Sequence, residues 1–110
     1  MTNDNEWEKT LFNLILHAGN ARCKAKEAAC YADEKEWEKA KSALEEANAE
    51  QVEAHKINAN IIMTEARGED VKFSVLLMHA MDLLMLAWSE LDYTEQYLKM
   101  CQRLDLLERR

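Results

Sequence analysis

Two titratable residues stand in the most apolar stretch of the chain. Within Val75-Leu76-Leu77-Met78-His79-Ala80-Met81-Asp82-Leu83-Leu84-Met85 the ionisable side chains are His79 and Asp82. Three residues apart on a helix, they point to neighbouring parts of one surface. When one ring nitrogen of an imidazole is held as a donor, the other stays unprotonated and nucleophilic near neutral pH, the form that accepts a phosphoryl group. A histidine hydrogen-bonded in a core or at a surface fits the same pattern, and periodicity does not choose between them. Asp82, flanked by Met and Leu, cannot stay charged and unpaired in a dry interior. It needs a proton, a side-chain donor or a cation. No Lys or Arg lies within one helical turn, so the donors within the chain are Gln51, Asn58 and Arg22 from other segments. A rotational axis along this segment offers another solution: one Asp82 per subunit would converge there, and a hard, oxygen-seeking cation such as Mg2+ would relieve the repulsion.

The elements that must carry these residues are helices. The chain has 110 residues, no Pro and only two Gly, Gly19 and Gly68, which leaves little to punctuate strands or long loops. The class is all-α, and residues 1–110 form a single domain. Trp7, Leu11, Leu14, Ile15 and Ala18 follow three-and-four spacing and predict a first helix from Asp4 to about Tyr31. A polar break follows, in which Asp33 is placed to accept a bond from the Glu36 N–H. Trp37, Ala40, Leu44, Ala47, Ala54 and Ile61 predict a second helix to about Glu65, its stripe interrupted by Gln51 and Asn58. Arg67-Gly68 supplies a helix C-terminus, and Glu69-Asp70 the acidic start of a third helix. Rods of about 45 Å joined by very short turns must run antiparallel, in an up-down-up bundle. The third helix is apolar all round from Val71 to Leu91, yet a three-helix monomer leaves one flank of it open, so self-association is expected.

Charge and cysteine content exclude several functions. A formal charge of -7 without a basic run disfavours nucleic-acid and anionic-membrane binding. No charge-free apolar stretch is long enough to span a bilayer, and the start MTNDNEWEK is acidic where a signal peptide is basic, so the expected location is the cytoplasm. Cys23, Cys30 and Cys101 are odd in number and lack Cys-x-x-Cys spacing, so they read as reduced packing residues.

Three segments, Leu14-Ile15-Leu16-His17-Ala18-Gly19-Asn20-Ala21-Arg22, Glu53-Ala54-His55-Lys56-Ile57 and Val75 to Met85, fall in order, one on each expected helix. Together they resemble the lactose/cellobiose IIA family of the bacterial sugar phosphotransferase system, over the chain from about Trp7 to about Leu104. The resemblance implies a phosphocarrier whose third-motif histidine, here His79, takes a phosphoryl group from phospho-HPr. It passes the group to a cysteine of the IIB component, with the membrane IIC permease acting at one remove. The sugar it implies is a β-linked disaccharide such as lactose, cellobiose or chitobiose. It also implies a homotrimeric nine-helix bundle in which the aspartate three residues after the active histidine, here Asp82, meets its copies around a metal on the axis, with Mg2+ the expected ion.

The family usually reads His-Ala-Gln-Asp-His-Leu-Met where this chain has His79-Ala80-Met81-Asp82-Leu83-Leu84-Met85. Met81 offers no hydrogen bond to a phosphoryl oxygen and Leu83 removes a second imidazole, changes that bear on phosphohistidine stability and transfer rate. His17 and His55 also match motif positions, and their expected use is interhelical hydrogen bonding. Gly19 costs about 1 kcal/mol against Ala in mid-helix, which implies close approach of another backbone. A second reading keeps the trimeric fold as an interaction or regulatory module without phosphotransfer. It separates from the first on whether His79 accepts phosphate. A third, an unrelated coiled-coil adaptor, suits the composition but not three motifs in order.

Overall fold

A computed structural model describes residues 4–110; residues 1–3 of the acidic start lie outside the described residues. It consists of α1 (Asp4–Asp33), α2 (Trp37–Ala66) and α3 (Val75–Glu108), with no strand among the described residues. The bundle measures 62 × 21 × 20 Å. The all-α, three-helix expectation holds.

Each helix buries one seam at heptad spacing, the pattern of helices that pack nearly parallel with a left-handed supercoil. In α1 the buried positions are Leu11, Leu14, Ala18, Ala21, Ala25, Ala28 and Ala32. In α2 they include Ala40, Ala47, Ala54 and Ile61, and in α3 Leu77, Leu84, Leu91, Leu98 and Asp105 recur every seven residues. Alanine in so many of these positions lets the backbones approach closely, while Leu11, Leu14 and Leu84 are fully buried anchors, each contributing about 2 kcal/mol of transfer free energy. α3 leans mainly on α1 and meets α2 over less of its length.

Both connections differ from the sequence expectation. Asp33 does not cap α2: it ends α1, and the Glu36 N–H donates to the Tyr31 carbonyl at 2.9 Å. Lys35 adopts φ 64°, the left-handed conformation that closes a helix C-terminus onto its own carbonyls, so no side-chain acceptor is needed. At the other end Gly68 takes the expected left-handed φ of 84°, and the Arg67, Gly68 and Glu69 amides bond back to Met63, Glu65 and Thr64. Helix α3 starts later than Glu69-Asp70 suggested. Ser74, in extended conformation, is its N-cap and accepts from the Leu77 N–H at 3.1 Å. Residues 67–74 thus form a link rather than a very short turn, held down by Val71 packing on the main core.

The far end of α3 is pinned to the α1–α2 turn. Asp105 is buried, with Lys35 Nζ at 3.3 Å and Arg109 Nε at 3.0 Å from its carboxylate oxygens. Burial pushes this carboxyl up, but Arg109 and Lys35 outweigh it and hold the group below the usual carboxylate range. Beside it, the Tyr97 hydroxyl donates to Asp33, and bonding to Asp33 and Cys101 pushes the phenol up. The cysteine expectation needs correction: all three are free, but Cys23 and Cys30 are exposed on α1, and only Cys101 packs against a core cluster.

Candidate functional site

His79 is the fifth residue of α3, one turn beyond the Ser74 cap. Its neighbours Leu77 and Ala80 are buried, and His79 itself is exposed. The geometry follows from the heptad: two residues past Leu77, His79 is turned about 200° from the core seam. Its side chain has no hydrogen-bonding or charged partner among the described residues. A rigid helix therefore holds out an unencumbered imidazole that a second molecule can reach.

Within the single chain Asp82 is exposed as well. Position 82 lies five residues from Leu77 and two from Leu84, on the side of α3 facing away from α1 and α2. None of the donors considered for it reaches it. Gln51 Nε2 donates to the Leu84 carbonyl at 3.4 Å, and Arg22 pairs with Glu90 at 2.9 Å. Asn58 Oδ1 is buried without a partner. Around Asp82 the outer face is apolar and open: Val75 is 81% exposed, and Met78, Met85 and Leu86 are exposed with it. Among the described residues no group of three or more His, Cys, Asp or Glu side chains is placed to hold a metal. An ion on Asp82 would therefore take its remaining ligands from water or from other chains.

The two other histidines have defined partners. His17 Nδ1 lies 2.6 Å from Glu50 Oε2 across the α1–α2 seam, the interhelical bond expected of it. His55 instead meets the Trp88 ring edge-on, centroids 5.3 Å apart. Gly19 has nothing within 4 Å of where a Cβ would sit, so the backbone approach inferred from it is absent within the chain. Sequence reasoning missed Glu50 as the partner of His17; a carboxylate on the α1-facing side of α2 was the available signal, but which of several glutamates lay level with His17 depends on helix register.

A cleft of about 450 Å³ opens between the start of α1, the end of α2 and the 67–74 link. Trp7, Ile61 and Val71 give it an apolar floor, and Asp4, Glu69 and Asp70 line it.

The family described as the lactose/cellobiose-specific IIA subunit of the PTS system matches residues 9–102. The chain belongs to that family. It is 33% identical over 99 residues to the lichenan-specific phosphotransferase enzyme IIA component of Bacillus subtilis, covering 90% of each chain. With the lactose-specific EIIA component of Staphylococcus epidermidis it shares 40% identity over 74 residues, 67% of this chain and 71% of that one. The crystal structure of a cellobiose-specific enzyme IIA from Bacillus anthracis superposes with a TM-score of 0.90 at 35% identity, covering 96% of this chain and 95% of that chain. This IIA subunit is thus a component of a sugar phosphotransferase system with the fold of its family. Among the described residues no helix is long and apolar enough to cross a membrane.

Proposed function

We propose that this IIA subunit is a cytoplasmic phosphohistidine carrier, with His79 as the residue that is phosphorylated. The observation that carries the reading is the exposed, unpartnered imidazole of His79 on a rigid helix, within a chain of this family. In the reaction, an unprotonated ring nitrogen of His79 attacks phosphorus of phospho-HPr in line. The donor's P–N bond breaks as the new P–N bond forms, and the HPr imidazole leaves with the bonding pair. Attack by the IIB cysteine thiolate then repeats the exchange and frees His79. Little covalent machinery is required: positioning comes from α3, and the N-terminal end of that helix, one turn away, favours the added negative charge. Because both partners are proteins, exposure of His79 is a requirement of the chemistry. The sugar fits the β-linked disaccharide class, relatives being named for lactose and cellobiose.

The proposed assembly is a homotrimer in which the open face of α3 turns inward. Asp82 of each subunit would hold Mg2+ at the axis, where the ion neutralises converging carboxylates and takes no part in transfer. A second reading, an interaction module without phosphotransfer, draws on the apolar residue Leu83 one turn from His79. Radiolabelled phosphoryl transfer from phosphoenolpyruvate through the general phosphotransferase proteins separates them. Acid-labile label that maps to the His79 peptide of the natural protein, and is lost from that peptide in His79→Ala, supports the carrier. No label on either protein, with cognate partners supplied, supports the module.

A further inference from the structure

The seam between α1 and α2 presents a second imidazole in a more defined chemical setting than that of His79. His17 Nδ1 is 2.6 Å from Glu50 Oε2, and the two side chains remain 30% and 31% exposed. In the neutral ring, a carboxylate at that distance keeps the proton on Nδ1, which donates to it, and leaves the lone pair on Nε2 across the ring. No other protein group bonds to His17 among the described residues. Asn13 and Asn20, four residues before and three after, lie on the same side of α1, and neither side chain is hydrogen-bonded within the described protein. The open nitrogen thus lies between two amides free to donate, and a phosphoryl acceptor needs a fixed tautomer, a free nucleophile and donors for the equatorial oxygens.

We propose that His17 is a second phosphoryl-accepting residue of this subunit, with Nε2 as the nucleophile and Glu50 as its positioning residue. The proposal rests on the phosphocarrier reading for its donor, a phosphohistidine protein. The donor's P–N bond breaks as the P–Nε2 bond forms, the donor imidazole leaves with the bonding pair and takes a proton from solvent, and His17 keeps its Nδ1 proton on Glu50. The Asn13 and Asn20 amides then donate to the phosphoryl oxygens.

The test uses full-length protein phosphorylated from phosphoenolpyruvate through the general phosphotransferase proteins, with the labelled peptide mapped. The His79→Ala protein is expected to keep acid-labile label at His17, and His79→Ala/His17→Gln to lose it. His79→Ala/Glu50→Gln is expected to label about tenfold more slowly, the scale for losing an orienting partner, with an unchanged melting temperature. Label on the natural protein but none on His79→Ala, or label mapping to His55, overturns the proposal and leaves the carrier reading standing. No label on any of the proteins overturns both. Label on the natural protein that survives His79→Ala and is lost in His17→Gln supports His17 and overturns the assignment of His79.

Discussion

Met81 and Leu83 stand two and four residues from His79, and helical geometry treats those spacings differently. Position 83 lies one turn along and about 40° round, beside the imidazole, while position 81 is about 200° away. Both side chains pack partly against the main core. Of the two departures from the family pattern, then, Leu83 is the one that helical spacing places beside His79 within this chain. Leu83→His is expected to change the hydrolysis rate of the phosphoprotein several-fold, whereas Met81→Gln leaves it unaltered and lowers stability by about 1 kcal/mol through polar burial. A larger kinetic effect from Met81→Gln would mean that another chain presents position 81 to the phosphoryl group. Asp105 makes a separate prediction. Because its folded carboxyl sits below the ordinary value, its contribution is complete above about pH 4 and fades as pH falls through the lower folded value. Asp105→Asn should therefore lower the melting temperature at pH 7 and flatten its decline below pH 4. Parallel curves for the two proteins would assign the acid sensitivity elsewhere. Asp105 was not legible in the sequence: beside Arg103, Glu108 and Arg109 it reads as part of a charged tail, and only continuation of the seven-residue spacing from Leu77 reveals it as a core position. His79 was legible because an apolar run isolates it. Which flank of α3 stays open was not, since a helix apolar all round does not declare which side its neighbours cover.

The end of α2 was read from spacing to within a few residues, where Arg67-Gly68 mark the boundary. The start of α3 was displaced because Glu69 and Asp70 mimic an acidic first turn, and Ser74 competes with them through a side-chain bond to the Leu77 amide. The α1–α2 turn was located by its polar break, but the way it closes gave no signal, since it places a lysine where the backbone asks for glycine. Gly19 poses the opposite case, a glycine in mid-helix with open space around it. Within one chain, alanine fits there and regains about 1 kcal/mol of helix propensity, so Gly19→Ala is expected to raise the melting temperature by about 4 °C. A fall in melting temperature together with loss of assembly would show that a second chain seats in that notch, and the sequence inference of close backbone approach would then apply between chains.

For the whole molecule, the unusual feature is the outer face of α3, where Val75, Met78, Met85 and Leu86 are exposed around Asp82. Covering that surface with copies of itself removes apolar area from water, but it carries a carboxylate from every copy into the same dry region, where like charges repel strongly. The two effects oppose each other on one face, and a divalent cation at the proposed axis would reconcile them. The proposed homotrimer is therefore expected in sedimentation experiments, with a melting temperature that rises with protein concentration because dissociation accompanies unfolding. Chelation with EDTA should lower that temperature, and Mg2+ should restore it. Asp82→Leu removes the repulsion and fills the axis with an apolar side chain. By analogy with buried ion clusters replaced by hydrophobic residues, it is expected to keep the trimer, gain about 1–4 kcal/mol and lose all response to EDTA. Met85→Lys, on the same face one turn away, should instead drive the protein to monomers. If Asp82→Leu remains sensitive to EDTA, the metal sits elsewhere. If it becomes monomeric while the natural protein is trimeric, the carboxylates and their ion are the bonds that hold the copies together, and the apolar face alone is too weak to do so.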